Sequence, residues 1–468
     1  MLLIARRAPL IVIAFTFLAF GAAFAAPLGE QVVVSPNGHF LQYRDGRPFF
    51  WLADTAWLMF DKLNDTDTEK YLDDRRGKGF NVVQVTLLRG GDDMDFDGSQ
   101  ALLQGDPGKP DLDHGYWDHV ERVVGEAAEK GISVALVCAW GSVVKSGRLN
   151  MNNAEAYARF LGRRFRDRPN IFWILGGDIR GDQNDGVWKL MGRTLKAEDP
   201  NHLITFHPFG RTQSSMWFHN EPWLDFNMFQ SGHQRYDQDT DSPHRFGEDN
   251  WRYAAEDYAR QPAKPVADGE PSYEGIPQGL HDTSQPNWTD ADCRRYAYWS
   301  VFAGAFGHTY GDNAIMQFFR PGIDKPAYGA KKSWAEAIQD PGAAEMQYLK
   351  RLMLSRPYFE RVPDQNLIAG PNGTGHDYAI ATRGASYLFA YTWTGKPLRI
   401  RMGAITGTKV RAWWYTPRDG SVQSSGEFAN SGIRDFVPPG KPGDGNDWVV
   451  VLDDVSKKFA PPGTGVAN

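Results

Sequence analysis

The segment "NIFWILGGD", residues 170–178, decides how the chain is read. Ile171 to Leu175 form an unbroken apolar run of strand length, the pattern of a strand buried on both faces. Two glycines and a carboxylate follow. Glycine lets a backbone turn sharply or approach a ligand closely, so this core strand ends by delivering an acid. Upstream, "NAEAYARFLGRRFRDRP" places Ala154, Tyr157, Phe160, Leu161 and Phe165 on one helical face before Pro169 stops it. Downstream, "HLITFHP" is the next strand-like run.

Working outward, the same alternation recurs. "FFWLAD", "NVVQVTLL", "ISVALVCAW", "LDFNMFQ", "KPVADGE" and "GHTYGD" complete a set of eight strand-like runs. Between them, "YWDHVERVVGEAAEKG" repeats apolar residues at three and four (Trp117, Val120, Val124, Ala127) and ends at Gly131. "DADCRRYAYWSVFAGAFG" is apolar nearly all round and reads as a buried helix. Ahead of the first run, the turn signals "PNG" and "RDG" predict a hairpin leading into it. Eight strands alternating with helices predict an α/β fold, a (β/α)8 TIM barrel, over residues 27–362. A doubly wound open sheet is the alternative, disfavoured because no glycine-rich phosphate loop follows the first strand. Short strands joined by Gly, Asn, Asp and Pro turns then predict a small all-β sandwich over 363–458. The Gly- and Pro-rich stretch 459–468 reads as a disordered tail.

Composition excludes several classes. With 41% hydrophobic and 23% charged residues the chain is not generally disordered. A net charge of −6 argues against nucleic acid or an anionic membrane as the partner. Residues 1–26 carry Arg6 and Arg7, an apolar run too short to span a bilayer, and an Ala-x-Ala-like end. They are expected to be a cleaved signal peptide, giving a periplasmic or secreted protein. Cys138 and Cys293 fall in buried strand and helix patterns and are expected to be inert thiols, with a disulfide the alternative.

In a barrel of this kind the site forms at the C-terminal ends of the strands. The residues ending the runs include Asp54, Arg89, Trp140, Asp178, His207, Gln230 with His233, Glu270 and Tyr310. Asp178 and Glu270 each follow glycine, at the ends of strands four and seven, which sets two carboxyl groups across one cavity. Glycosidic bond cleavage needs such a pair: one acid protonates the leaving oxygen, the other attacks the anomeric carbon or activates water. Asp178 is expected to be the general acid/base with a raised pKa, and Glu270 the nucleophile. Trp57 and Trp140 are candidates to stack on a sugar face; His207, Gln230 and His233 can bond hydroxyl groups, and Tyr273 can donate to Glu270. No cofactor is called for. Asp93, Asp95 and Asp97 begin a calcium-loop pattern, but Gln104 stands where a bidentate Glu belongs, so the loop is read as solvated or sugar-binding and no metal is assigned.

"WLADTAWLMF", "RFRDRPNIFWILGGD", "LDFNMFQSGH" and "DGEPSYEG" resemble the signature blocks of the apiosidase-like glycoside hydrolases, glycoside hydrolase family 140. "RDGSVQSSGEF" and "DWVVVLDD" resemble the collagen-binding-type β-domain that often follows that barrel. The resemblance implies a hydrolase of a furanosidic side chain, apiose of plant cell-wall pectin, with Asp178 and Glu270 as its catalytic pair. A glycosidase acting on another furanoside, such as an arabinofuranoside, and an inactive carbohydrate-polymer binder are the alternatives. No His-Glu-x-x-His or Gly-x-Ser-x-Gly motif supports a protease or esterase.

Overall fold

The computed structural model describes residues 31–91, 93–238 and 246–465. The expected signal peptide lies outside the described residues. Eight strands form the barrel: β1 Trp51–Thr55, β2 Val82–Thr86, β3 Ser133–Val137, β4 Ile171–Ile179, β5 Ile204–Pro208, β6 Asn227–Gln230, β7 Val266–Asp268 and β8 Gly307–Tyr310. They pair in parallel from β5 back through β1 to β8, β7 and β6. A short strand, Thr212–Gln213, runs antiparallel on β6. The seam between β5 and β6 is closed by Asp225 N donating to Ile204 O at 2.9 Å and Thr205 Oγ1 donating to Phe226 O at 2.7 Å. All eight runs expected from sequence are strands.

The lower barrel is solid. Trp51, Phe172, Phe226 and Phe306 meet edge-on or tilted with centroids 5.0–6.5 Å apart, the spacing that favours aromatic pairs. Short antiparallel strands Val32–Val34, Leu41–Tyr43 and Pro48–Phe49 pack beside this plug, and Phe49 lies 5.7 Å from Phe172. The filled interior leaves the C-terminal end as the place for chemistry.

Strand parity corrects two expectations. Thr55 and Thr309 face inward, where Thr55 Oγ1 donates to Tyr310 O and Trp51 Nε1 to Thr309 Oγ1. Their neighbours Asp54 and Tyr310 therefore face the helices rather than a substrate. Asp54, 0% exposed, accepts from Arg75 Nε and Tyr71 Oη of helix Asp65–Gly77, both at 2.6 Å. Tyr310 Oη donates to Glu274 Oε2 at 2.6 Å, and Gly342 N of helix Pro341–Leu354 donates to the same oxygen.

The β-module has a six-stranded antiparallel sheet and a two-stranded one, Leu398–Arg401 with Ile433–Phe436. Strand Tyr387–Thr392 is buried on both faces. Leu388 and Ala390 pack in the module's own core, whereas Tyr387, Phe389 and Tyr391 join the barrel's. Tyr391 stacks on Tyr298 of helix Asp290–Phe302 at 4.8 Å. Beside it Arg294, only 2% exposed, reaches across to Asp447 at 3.0 Å. The tail departs from expectation: Arg356 donates to Ala460 O and Arg351 to Gly463 O, fixing residues 459–465 against the body. Cys138 and Cys293 are buried free thiols.

Asp54→Asn is expected to weaken a buried ion pair, costing up to about 3–5 kcal/mol of unfolding free energy, while leaving KM unchanged. Urea unfolding and steady-state kinetics on one preparation check this; a raised KM at intact stability would return Asp54 to the substrate.

Candidate active site

The acid of β4 is presented by a bulge. Pairing with β5 runs regularly to Gly176 opposite His207 and resumes at Ile179 opposite Pro208, so Gly177 and Asp178 are extra residues on one side. Gly176, Gly177 and Asp178 have φ of +83°, +111° and +51°. A left-handed residue with a side chain costs about 1–2 kcal/mol, and Asp is one of the few types that adopts it. The glycines are also required by space. A Cβ on Gly176 would sit 2.5 Å from His207 O, and one on Gly177 would sit 2.6 Å from the Trp140 ring. The sharp turn expected of these glycines is present, and the crowding comes from His207 and Trp140.

Glu270 lies two residues beyond β7 and is 7% exposed. His207 Nε2 stands 3.0 Å from its Oε2, and His233 Nε2 3.1 Å from its Oε1. The amide of Asp178 points at His207 Nδ1 at 3.4 Å, and Nε2 is the nitrogen that faces Glu270. Tyr273 turns its hydroxyl toward Glu270, Thr55 and Trp57. Its ring fills the space above Gly311, where a Cβ would come within 2.2 Å of it.

The two carboxyl groups are pushed apart. Burial alone would raise Glu270, but the imidazoles of His207 and His233 beside it outweigh that and hold the group well below the usual carboxylate range. Asp178 is raised, first by burial and then by the negative charge of Glu270, against smaller opposing effects of His207, Lys145 and His233. One acid is set to stay ionised while its neighbour holds a proton to higher pH.

Most of the other predicted residues gather here. Trp57 and Trp140 lie 5.2 Å apart edge-on, and His207 is 5.5 and 5.7 Å from them. Trp57 is 3% exposed and forms wall, whereas Trp140 is half-buried. The Arg89 guanidinium sits 5.5 Å from the Trp140 ring centre. Gln230 ends β6 beside Gly210. Gln230 Oε1, His233 Nδ1 and Arg89 Nη1 are buried without a hydrogen-bond partner among the described residues, the kind of group that ligand hydroxyls satisfy. Asp93 and Asp95 hold the loop after β2. Asp93 accepts from the amides of Arg89 and Gly90 and pairs with Arg148, and Asp95 accepts from those of Asp97 and Ser99, so both shape the loop. No cluster of His, Cys, Asp or Glu suited to a metal occurs among the described residues. Tyr328, on the loop after β8, was not foreseen: burial first, then the charges of Glu270 and Asp178, raise its pKa. A lone tyrosine in an aperiodic loop carries no sequence signal.

Residues 35–360 match the family model described as the apiosidase-like catalytic domain. Residues 362–453 match a model described as a collagen-binding-type domain of a collagenase. No curated protein matches the chain. A solved structure named a glycoside hydrolase is 48% identical, with TM-score 0.89 over 92% of this chain and 98% of that one. A glycoside hydrolase family 5 structure from Bacteroides vulgatus ATCC 8482 is 46% identical, with TM-score 0.88 over 92% of this chain and 95% of that one. The catalytic-domain match spans well over half of the sequence, and the chain belongs to the apiosidase-like glycoside hydrolases.

Proposed function

We propose that the protein hydrolyses a furanosidic side-chain linkage, that of apiose in plant pectin, by a retaining mechanism with Asp178 as acid/base and Glu270 as nucleophile. The observation that carries the mechanism is the opposed setting of the two carboxyl groups at one barrel mouth. Asp178 donates its proton to the glycosidic oxygen as a Glu270 oxygen attacks the anomeric carbon and the leaving group departs. Asp178, now a base, takes a proton from water; the water oxygen bonds to that carbon and Glu270 is released as carboxylate. His207 and His233 keep Glu270 ionised before attack and stabilise it as it leaves. The half-buried ring of Trp140 stacks on the sugar, and Gln230 and Arg89 bond its hydroxyl groups.

Apiose is supported by the family's description, and an arabinofuranoside is the second reading. A binder without activity has no use for an acid held in a left-handed bulge, which disfavours that reading. We also infer export directed by residues 1–26, supported by Arg6, Arg7 and the apolar run after them.

Incubation with rhamnogalacturonan II oligosaccharides and a panel of arabinofuranosides is expected to release apiose, with Glu270→Gln inactive. A different sugar, also lost in the variant, would discard the substrate and keep the mechanism. Proton NMR of the first product is expected to show retained anomeric configuration; inversion would remove Glu270 as nucleophile.

Asn adopts left-handed φ as Asp does, so Asp178→Asn keeps the bulge. It is expected to lose about 10²–10⁴-fold on the natural linkage and far less in the cleavage step of an aryl glycoside, whose leaving group needs no proton. Wild-type activity is expected to fall as pH rises through the raised pKa of Asp178, and this alkaline limb should be absent from the variant. A limb that persists in Asp178→Asn would assign the proton to another group.

A further inference from the structure

Among the described residues, the β-module reaches toward the loop leaving β6. That loop follows Gln230 and carries His233, whose Nε2 stands against Glu270. We propose that His376 of the β-module is a positioning residue for the hydrolysis: through Glu248 it clamps this loop and so sets His233 against Glu270. The proposal rests on Glu270 being the reacting carboxylate.

The contacts form a chain across the domain boundary. His376 Nε2 lies 2.9 Å from Glu248 Oε2, and Arg295 Nη2 of the barrel lies 2.7 Å from the same oxygen. The other oxygen of Glu248 accepts from the amide of Tyr236, three residues beyond His233, at 3.3 Å. Tyr236 Oη donates to Asp249 Oδ1, next to Glu248, at 2.5 Å. Beside this knot Tyr378 of the module stacks on Trp251 at 4.3 Å with the rings 7° apart.

The loop end nearer the acids is held from the barrel side. Gly232 N donates to Glu270 O at 3.0 Å, Ser272 Oγ to Gly232 O at 2.9 Å and Trp288 Nε1 to His233 O at 3.1 Å. His233 is thus fixed at its backbone by the barrel, while the chain just beyond is held by Glu248, on which His376 of the module and Arg295 of the barrel both bear. Glu248 is 4% exposed, so losing His376 leaves its carboxylate with fewer partners in a dry place. The His376 side chain keeps 34% of its surface, so replacing it opens no cavity in the core.

The test compares His376→Ala, His376→Gln and Lys396→Ala, the last removing the Asp377 ion pair from the same module face without touching Glu248. Hydrogen exchange of amides 231–238 and kcat with KM are read on each full-length protein. His376→Ala is expected to speed exchange there about tenfold and to lower kcat about tenfold at unchanged KM. Gln can still donate to Glu248 and is expected to restore both, and Lys396→Ala to move neither. Unchanged exchange, unchanged kcat, or an equal effect from Lys396→Ala would overturn the clamp. Glu270→Gln separates the two readings. If it stays active the reading of the site fails, and exchange in His376→Ala still decides whether the module holds the loop.

Discussion

The placement of Glu270 between two imidazoles is the constraint on which the site depends. A carboxylate this deeply buried stays charged only where donors surround it, and His207 and His233 supply them from the ends of β5 and the loop after β6. Each imidazole is fixed by something else. His207 receives the Asp178 amide at its far nitrogen, and the ring of His233 lies 4.6 Å from that of Tyr273. The negative charge so secured then adds to burial in raising its neighbour, Asp178, and the bulge, the two histidines and the tyrosine have to be in register together.

Much of the architecture was legible because each barrel strand is a short apolar run between turn signals, and such runs have few other folds open to them. The pair Asp178 and Glu270 was legible for a related reason: acids behind glycines stand out at strand ends. Asp54 and Tyr310 were misassigned because both lie on strands buried on two faces. Such strands lack the alternation that tells inward from outward, and one residue of parity separates a ligand contact from a partner of Arg75 or Glu274. The contacts of His207 and His233 with Glu270 join residues 63 and 37 positions apart (270 − 207 and 270 − 233), and no local pattern encodes them. The tail failed as an expectation because Arg351 and Arg356, more than 100 positions away, hold it.

The β-module illustrates how burial is shared between domains. Its central strand sends alternate side chains into two cores, so neither domain presents that sheet face to water. Arg294 is enclosed where the two meet, with Asp447, Asp290 and Glu345 around it. In any other docking Asp447, 0% exposed, would lose this cation, and a buried carboxylate without its partner is costly.

The aromatic plug below the strands has a consequence for traffic. With Trp51, Phe172, Phe226 and Phe306 filling the lower barrel, the mouth is a single doorway for everything that comes and goes. On the proposed mechanism the severed alcohol must clear the passage that incoming water then uses. A departing fragment that lingers there stands where water should, and it can recapture the sugar from Glu270. Crowding with acceptor alcohols would then turn a degradative enzyme toward building the bond it evolved to break.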